Sequence, residues 1–331
     1  MRVAVTGATG NLGSRIVPAL AAGPVVTGVV AIARRPPPQL PPRTTFAAAD
    51  IAQAGLEPAL AGCDALVHLA WAFQPTHNPL RTWEVNVRGG IATFEAAARA
   101  GVRTLVHVSS VGAYSPGPGQ HVDESWPTHA RPTAAYGREK SYLERYLDAF
   151  ELRHPDLRVV RLRPCFVFQR PAASEQARIF AGPLLPRLLV RPGRLPAVTV
   201  PRSLRLQAVH ADDVADVVRR AVAGDARGAF NVATDDVVDA DGLGEVLRAR
   251  TVIVPDTAAV LATAAAWRLR LIPSDDQLLR LLLGLPTLDS GRARRELGWE
   301  PTRSGHAVLR EALTGMSEGA GGTTAPLRPG R

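Results

Sequence analysis

The sequence has 331 residues, of which 46% are hydrophobic, and its 39 Lys and Arg against 30 Asp and Glu give a formal net charge of +9 at pH 7. This length and apolar fraction suit one large α/β unit or a nucleotide-binding domain with a smaller lobe, and the sequence lacks the run of about 18 apolar residues that indicates a membrane-spanning helix. The arginines are spread along the chain without a nucleic-acid module, and the eight His and two Cys show no metal-ligand spacing, so we expect no nucleic-acid partner, no membrane partner and no metal.

The chain begins with a predicted strand at residues 2–6, a glycine-rich loop and a predicted helix at residues 13–22. The loop is Gly7-Ala8-Thr9-Gly10-Asn11-Leu12-Gly13. Glycines permit a tight turn and let backbone N–H groups approach a pyrophosphate, and the helix N-terminus adds partial positive charge. This order of elements predicts a dinucleotide-binding loop. Because the strand leaves no room for a signal peptide and the cysteines are only Cys63 and Cys165, we expect a cytoplasmic protein.

Strand-like and helical segments alternate further along the chain. Predicted strands cover residues 2–6, 25–33, 64–70, 103–109 and 157–163, and predicted helices cover residues 13–22, about 55–62, 79–100 and 133–153. This alternation predicts an α/β fold with a Rossmann-type, doubly wound parallel sheet. After residue 164 the chain returns to the sheet, with a strand at 206–210, a helix at 212–223 and a strand at 228–232. Residues 315–331, rich in Gly, Thr and Pro, are predicted to be a disordered tail.

The end of the second predicted strand bears on the choice of cofactor. It reads Ala31-Ile32-Ala33-Arg34-Arg35, without the carboxylate that would bond the ribose 2′-hydroxyl of NAD. A guanidinium matches the geometry of the 2′-phosphate of NADP. We therefore favour NADP over NAD, with NAD kept as the alternative.

Of the 39 basic residues, 38 are arginine and one is lysine, and that lysine is Lys140 in Tyr136-Gly137-Arg138-Glu139-Lys140. Residues four apart share one face of a helix, so the Tyr136 phenol and the Lys140 ammonium are expected to reach the same small volume. A nearby ammonium can lower the pKa of a phenol. This pair is a candidate acid/base site.

Taken with the glycine loop and this pair, several further motifs over about residues 1–313 resemble the extended short-chain dehydrogenase/reductase family, the NAD-dependent epimerase/dehydratase group. These motifs are Asp50-Ile51, His68-Leu69-Ala70, Asn86-Val87-Arg88-Gly89, Ser109-Ser110-Val111-Gly112-Ala113-Tyr114, Leu162-Arg163-Pro164, Val209-His210-Ala211-Asp212-Asp213 and Glu296-Leu297-Gly298-Trp299-Glu300-Pro301. The resemblance implies hydride transfer at nicotinamide C4 coupled to proton transfer at a substrate hydroxyl.

The resemblance also implies the roles of four catalytic residues. Tyr136 is expected to be the general acid/base, and Lys140 is expected to favour the phenolate and to bind the nicotinamide ribose. Ser110, which lies four residues before Tyr114, is expected to bond the same substrate oxygen. Asn86 matches the family's Asn-Val-x-Gly position, with a local cap or buried polar bond as the alternative.

For the cofactor, the resemblance implies contacts along the first half of the chain. They are expected from Gly7, Thr9, Gly10, Asn11, Leu12, Gly13, Arg34, Arg35, Asp50, Ile51, Leu69, Ala70, Tyr136, Lys140 and Pro164. A Rossmann domain is expected at residues 1–164 plus about 205–235, and a discontinuous substrate lobe at about 165–204 plus 236–313. A homodimer is expected through the helices that carry Asn86 and Tyr136.

Two departures from the family pattern weaken the interpretation that the substrate is a nucleotide sugar. Leu206 stands where such members often carry arginine, and Phe168 stands where many relatives have tyrosine. A stretch of basic residues could still bind a diphosphate; its members are Arg187, Arg191, Arg194, Arg202 and Arg205. Three functions stay open: a reductase or dehydrogenase acting on a small carbonyl or secondary alcohol, a nucleotide-sugar epimerase or dehydratase, and a non-catalytic nucleotide-binding sensor.

Overall fold

A computed structural model describes residues 1–53, 55–73, 77–180 and 190–329. The strands of these residues are β1 (Arg2–Thr6), β2 (Gly28–Ala33), β3 (Thr44–Ala48), β4 (Ala65–His68), β5 (Thr104–Val108), β6 (His121–Val122), β7 (Arg158–Pro164), β8 (Phe166–Phe168), β9 (Ala197–Pro201), β10 (Ala208–His210), β11 (Gly228–Val232), β12 (Arg250–Val254) and β13 (Thr287–Leu288). Their α-helices are α1 (Gly13–Ala22), α2 (Glu57–Leu60), α3 (Pro79–Trp83), α4 (Gly89–Arg99), α5 (Ala135–Arg153), α6 (Ala173–Phe180), α7 (Ala211–Ala223), α8 (Ala240–Leu247), α9 (Asp256–Arg268), α10 (Asp276–Leu283), α11 (Gly291–Leu297) and α12 (Gly305–Glu318).

The central sheet has seven strands in the order β11–β7–β5–β4–β1–β2–β3, and each neighbouring pair is parallel. The chain builds the sheet outward from β1 in both directions, so the strand order reverses between β1 and β4. Ligands of open α/β sheets bind where the carboxyl ends of the strands meet such a reversal. The topology therefore places the candidate site beside the loops that follow β1 and β4.

Helices cover both faces of this sheet. On one face, Ile16 of α1 and Val214 of α7 pack with the valines of β1. On the other face, Phe94 of α4 and Leu143 of α5 pack with Leu66 and its neighbours. A parallel sheet covered on both sides needs apolar residues on both sides of its strands, as the central strands have. The predicted α/β fold with a doubly wound parallel sheet is confirmed.

Most predicted elements occur at the expected places. The strands at residues 2–6 and 228–232 and the helix at residues 13–22 have the predicted bounds. The helix predicted at residues 79–100 is α3 and α4 joined by a π-helical turn at Glu84–Arg88. The sequence pattern did not predict β3. It is an edge strand whose residues are half-buried or exposed, so apolar residues do not mark it in the sequence.

The prediction of a disordered tail is wrong for residues 315–329, and residues 330 and 331 lie outside the described residues. Helix α12 continues to Glu318, and residues 319–329, called here the C-terminal segment, fold back on the glycine loop. The Thr324 hydroxyl donates a 2.7 Å hydrogen bond to the Thr9 carbonyl. Leu327 is 2% exposed. The Arg178 side chain also donates to the Pro326 and Arg328 carbonyls, so several contacts anchor a segment whose composition suggested disorder.

Within the described ranges, no helix is long and apolar enough to span a lipid bilayer. The predicted division into a nucleotide-binding domain and a discontinuous substrate lobe stays a prediction.

Candidate functional site

A cleft of about 860 Å³ opens at the carboxyl ends of β1 and β4. Its walls come from the glycine loop, from the segments after β2, β4, β5 and β7, and from helices α5, α6 and α10. All the predicted cofactor-binding residues line it, namely Gly7, Thr9, Gly10, Asn11, Leu12, Gly13, Arg34, Arg35, Asp50, Ile51, Leu69, Ala70, Tyr136, Lys140 and Pro164. The fold thus brings residues from far apart in the sequence to one cavity.

The glycine loop is shaped by positions that leave no room for a side chain. Gly7 has φ +69°, and a Cβ there would lie 2.8 Å from the Ala70 nitrogen. A Cβ on Gly13 would lie 2.3 Å from the Gly7 carbonyl oxygen, so α1 starts directly against the loop. This close packing leaves the loop backbone facing the cleft beside the first turn of a helix. The residues present therefore fit the pyrophosphate of a dinucleotide.

Tyr136 lies in the first turn of α5 and faces Ser110, which follows β5. The Ser110 side chain accepts a 3.0 Å hydrogen bond from the Gly112 nitrogen, and its interaction with the Tyr136 hydroxyl lowers the pKa of that phenol. A Cβ on Gly112 would lie 2.7 Å from Tyr136 Cε1, so this glycine admits the phenol ring. The same Cβ would lie 3.4 Å from Ser110 Oγ, so the phenol ring and the Ser110 hydroxyl lie on the same side of Gly112. The neighbouring Ser109 also lines the cleft, and its buried hydroxyl has no hydrogen-bond partner among the described residues.

Lys140 is 4% exposed and lies one helical turn after Tyr136. Its Nζ donates a 2.9 Å hydrogen bond to the Val108 carbonyl and lies 3.7 Å from the ring centroid of Trp71. Burial lowers the pKa of Lys140 to about 7, although Glu144 and Glu139 oppose the shift. The ammonium is thus held by a backbone carbonyl and an aromatic face.

Lys140 was expected to lower the pKa of the Tyr136 phenol, but in this structure that pKa is raised. Burial raises the pKa of Tyr136 to about 12, and the bond from Ser110 offsets only part of the rise. Removing a phenol from water disfavours its charged form, and this cost exceeds the benefit of its polar neighbours. At neutral pH the Tyr136 phenol is therefore protonated.

Asn86 is fully buried in the π-helical turn and is not among the residues that line the cleft. Its Oδ1 accepts from the Ala72 nitrogen at 2.7 Å, and its Nδ2 donates to the Ala72 carbonyl at 2.9 Å. Nδ2 also donates to Oε2 of buried Glu139 at 2.6 Å. Asn86 thus holds the segment after β4 through the buried polar bonds named as the alternative, and its predicted catalytic role stays a prediction.

The segment after β4 contributes aromatic residues that the sequence analysis missed. The Phe73 ring stacks on Tyr136 with centroids 5.1 Å apart, and Trp71 meets Tyr136 edge to face at 5.7 Å. Phe180 of α6 lies 6.0 Å from Phe73. The signal available in the sequence was the position of Trp71 and Phe73 directly after a strand whose carboxyl end faces the site.

Of the basic stretch predicted to meet a diphosphate, Arg191, Arg194, Arg202 and Arg205 do not line the cleft. Arg187 lies outside the described residues. Over the described ranges, no group of three or more His, Cys, Asp and Glu side chains is arranged to hold a metal ion.

The chain is similar in sequence to a known family and to known enzymes. The sequence profile of the NAD dependent epimerase/dehydratase family matches residues 3–233. A UDP-glucose 4-epimerase of Mycolicibacterium smegmatis is 30% identical over 91% of this chain and 94% of its own length. A ketoreductase of Stigmatella aurantiaca, named for 4-hydroxy-2-methyl-3-oxo-4-farnesyl-3,4-dihydroquinoline-1-oxide, is 30% identical over 51% of each chain.

Other similar proteins carry less functional information. Uncharacterized mycobacterial proteins are 28% identical over 71% of this chain, and the match spans 63% of their length. Among solved structures, dTDP-glucose 4,6-dehydratase DesIV from Streptomyces venezuelae, with NAD bound, has a TM-score of 0.71 at 23% identity over 96% of this chain and 97% of its own. At this identity the likeness bears on the fold.

Proposed function

This chain belongs to the NAD-dependent epimerase/dehydratase family of NAD-dependent enzymes, and on that premise we propose that it is a reductase or dehydrogenase. It transfers a hydride between a nicotinamide cofactor and a carbonyl or secondary alcohol, with Tyr136 as the acid/base. The observation that carries the proposal is the convergence of Ser110, Tyr136 and Lys140 in the cleft that also holds the glycine loop. A complete acid/base set argues against a non-catalytic sensor.

The residues divide the work of a carbonyl reduction. Tyr136 holds the proton that passes from its hydroxyl to the carbonyl oxygen, and its raised pKa keeps that proton in place at neutral pH. Ser110 binds the same oxygen and orients it. The nicotinamide supplies the hydride when it is bound. Lys140 lines the same cleft, which supports the proposal that it binds the nicotinamide ribose.

We propose NADPH as the favoured cofactor. Arg34 and Arg35 are exposed, line the cleft and directly follow β2, where a 2′-phosphate is read in this fold. A homodimer through the helical segments that carry Asn86 and Tyr136 is a further expectation, which light scattering tests.

A matched pair of tyrosine variants tests the acid/base assignment. We expect Tyr136→Phe to lower kcat by about 10²–10⁴-fold, with the dissociation constant for NADPH unchanged. The control is Tyr142→Phe on the same helix, because Tyr142 is 45% exposed and does not line the cleft. Oxidation of NADPH is followed with a panel of aldehydes and ketones. Full turnover by the Tyr136→Phe protein would remove Tyr136 from the mechanism.

A nucleotide-sugar epimerase is the second candidate, favoured by the match to the M. smegmatis enzyme over 94% of that enzyme's length. An epimerase regenerates its cofactor within each turnover and retains it. Denaturing the purified protein and counting the released nucleotide separates the two candidates. Near-stoichiometric NAD supports the epimerase, whereas an empty protein that prefers added NADPH supports the reductase.

A further inference from the structure

Beyond Tyr136, the cleft continues between the segment after β4 and helices α6 and α10. Tyr136, Phe73 and Phe180 form a row of rings with successive centroids 5.1 and 6.0 Å apart. The row leads from the acid/base hydroxyl toward the end of α6, and Phe180 still exposes 38% of its surface. A substrate whose carbonyl oxygen lies at Tyr136 therefore has aromatic faces along its path.

Helix α10 supplies the opposite wall. The leucines on its cleft side are Leu278, Leu279, Leu281 and Leu282, and Leu285 follows the helix. The helix packs directly on the catalytic helix, because a Cβ on Gly137 would lie 3.2 Å from Leu281 Cδ1. Leu206 and Ile272 extend this wall. The wall formed by α10 and these residues is therefore largely hydrocarbon.

The side chains at this end of the cleft supply little positive charge for an anionic ligand. Glu175 and Asp275 line it, and burial raises the pKa of both carboxyl groups, which favours their uncharged forms. Away from the cofactor-binding residues, the basic side chain that the described lining contributes is Arg81, whose NH1 lies 3.8 Å from the Glu84 carboxylate. A diphosphate is normally held by several cations or backbone N–H groups. These described walls offer a nucleoside diphosphate one guanidinium and two buried carboxyl groups.

We infer that the substrate is an uncharged carbonyl compound, or the matching secondary alcohol, with a largely apolar body, and not a sugar bearing a nucleoside diphosphate. The inference rests on the proposed reductase function and names the substrate class of that site. Its quantitative consequence is a dependence on chain length. Each methylene that the leucine and phenylalanine walls bury raises kcat/KM by about fourfold until the walls are filled.

The test uses 2-butanone, 2-octanone and 2-dodecanone with NADPH, and UDP-glucose as the anionic probe. We expect kcat/KM to rise by at least about tenfold along the ketone series, consistent with burial of a few methylenes. Binding of the same compounds to the NADPH complex of the Tyr136→Phe protein is measured by calorimetry, so that recognition is read without turnover. We expect 2-dodecanone to bind and UDP-glucose not to bind.

Leucine variants locate the effect in the cleft. Leu278→Ala should flatten the dependence on chain length without changing the dissociation constant for NADPH, and Leu278→Arg should abolish binding of 2-dodecanone. The control is Leu261→Arg on α9, since Leu261 is 68% exposed and does not line the cleft. This control should behave as the unmodified protein. Leu278→Ala keeps the test valid if the arginine variant does not fold.

The outcomes separate the inference from the proposed function. If neither NADPH nor NADH binds, the proposed function fails. If a cofactor binds but kcat/KM is flat across the ketones, or UDP-glucose binds the complex and 2-dodecanone does not, the inference alone is overturned. A rising series that Leu278→Ala flattens supports both.

Discussion

The tie between Asn86 and the segment after β4 gives the sharpest stability prediction. Asn86→Ala removes two hydrogen bonds to the Ala72 backbone and one to Glu139, and it leaves all three partner atoms without that bond inside the protein. A neutral hydrogen bond contributes about 1 kcal/mol and one to a charged group about 1.5–3 kcal/mol, so we expect Asn86→Ala to cost about 4 kcal/mol of unfolding free energy. That is a large part of the ~5–15 kcal/mol that stabilises a typical domain.

The matched control is Asn78→Ala, at the start of the same helical region. Asn78 is exposed and accepts a single 3.2 Å bond from the Arg81 nitrogen as the N-cap of α3. Losing a cap of this kind costs about 1 kcal/mol. Urea unfolding of the cofactor-free proteins, followed by far-UV circular dichroism, measures both free energies. Equal losses for Asn86→Ala and Asn78→Ala would refute the argument that the buried network holds the segment carrying Trp71 and Phe73.

Three further predictions test the cofactor site. Arg34→Ala should weaken NADPH by about 10–100-fold, the value of one charge-assisted bond, and leave NADH unchanged, whereas Arg99→Ala on α4 should change neither; an equal loss for both cofactors would contradict the NADP assignment. The pKa of Lys140 is about 7 in the folded protein and 10.5 as its ordinary value, so between these pH values the unfolded cofactor-free chain binds more protons than the folded one. The unfolding free energy should therefore rise with pH in this range. Lys140→Met should flatten that rise, as measured by urea midpoints. Leu327→Asp should release the C-terminal segment from Thr9. If the segment covers bound cofactor, the dissociation constant for NADPH should rise in a fluorescence titration, and an unchanged constant would show that it does not.

Local sequence was sufficient for the elements that depend on local physics. The glycine loop was readable because a backbone turn next to a helix N-terminus requires glycine at fixed spacing. The Tyr136–Lys140 spacing was readable because one helical turn sets the distance between those side chains. Apolar runs with turn residues between them located the central strands and the fold class, since strands buried on both faces of a sheet are apolar along nearly their whole length.

Contacts between distant residues decided the rest. Asn86 matched a motif, but its place at Ala72 and Glu139 depends on how a π-helical turn packs against α5. The pKa of Tyr136 rises because burial, which a sequence does not state, exceeds the effect of its polar neighbours. The C-terminal segment has the composition of a disordered tail, yet Thr324 reaches Thr9 across 315 positions of sequence. Sequence thus identified the candidate site residues, and tertiary packing decided their burial, their hydrogen-bond partners and the apolar walls of the cleft.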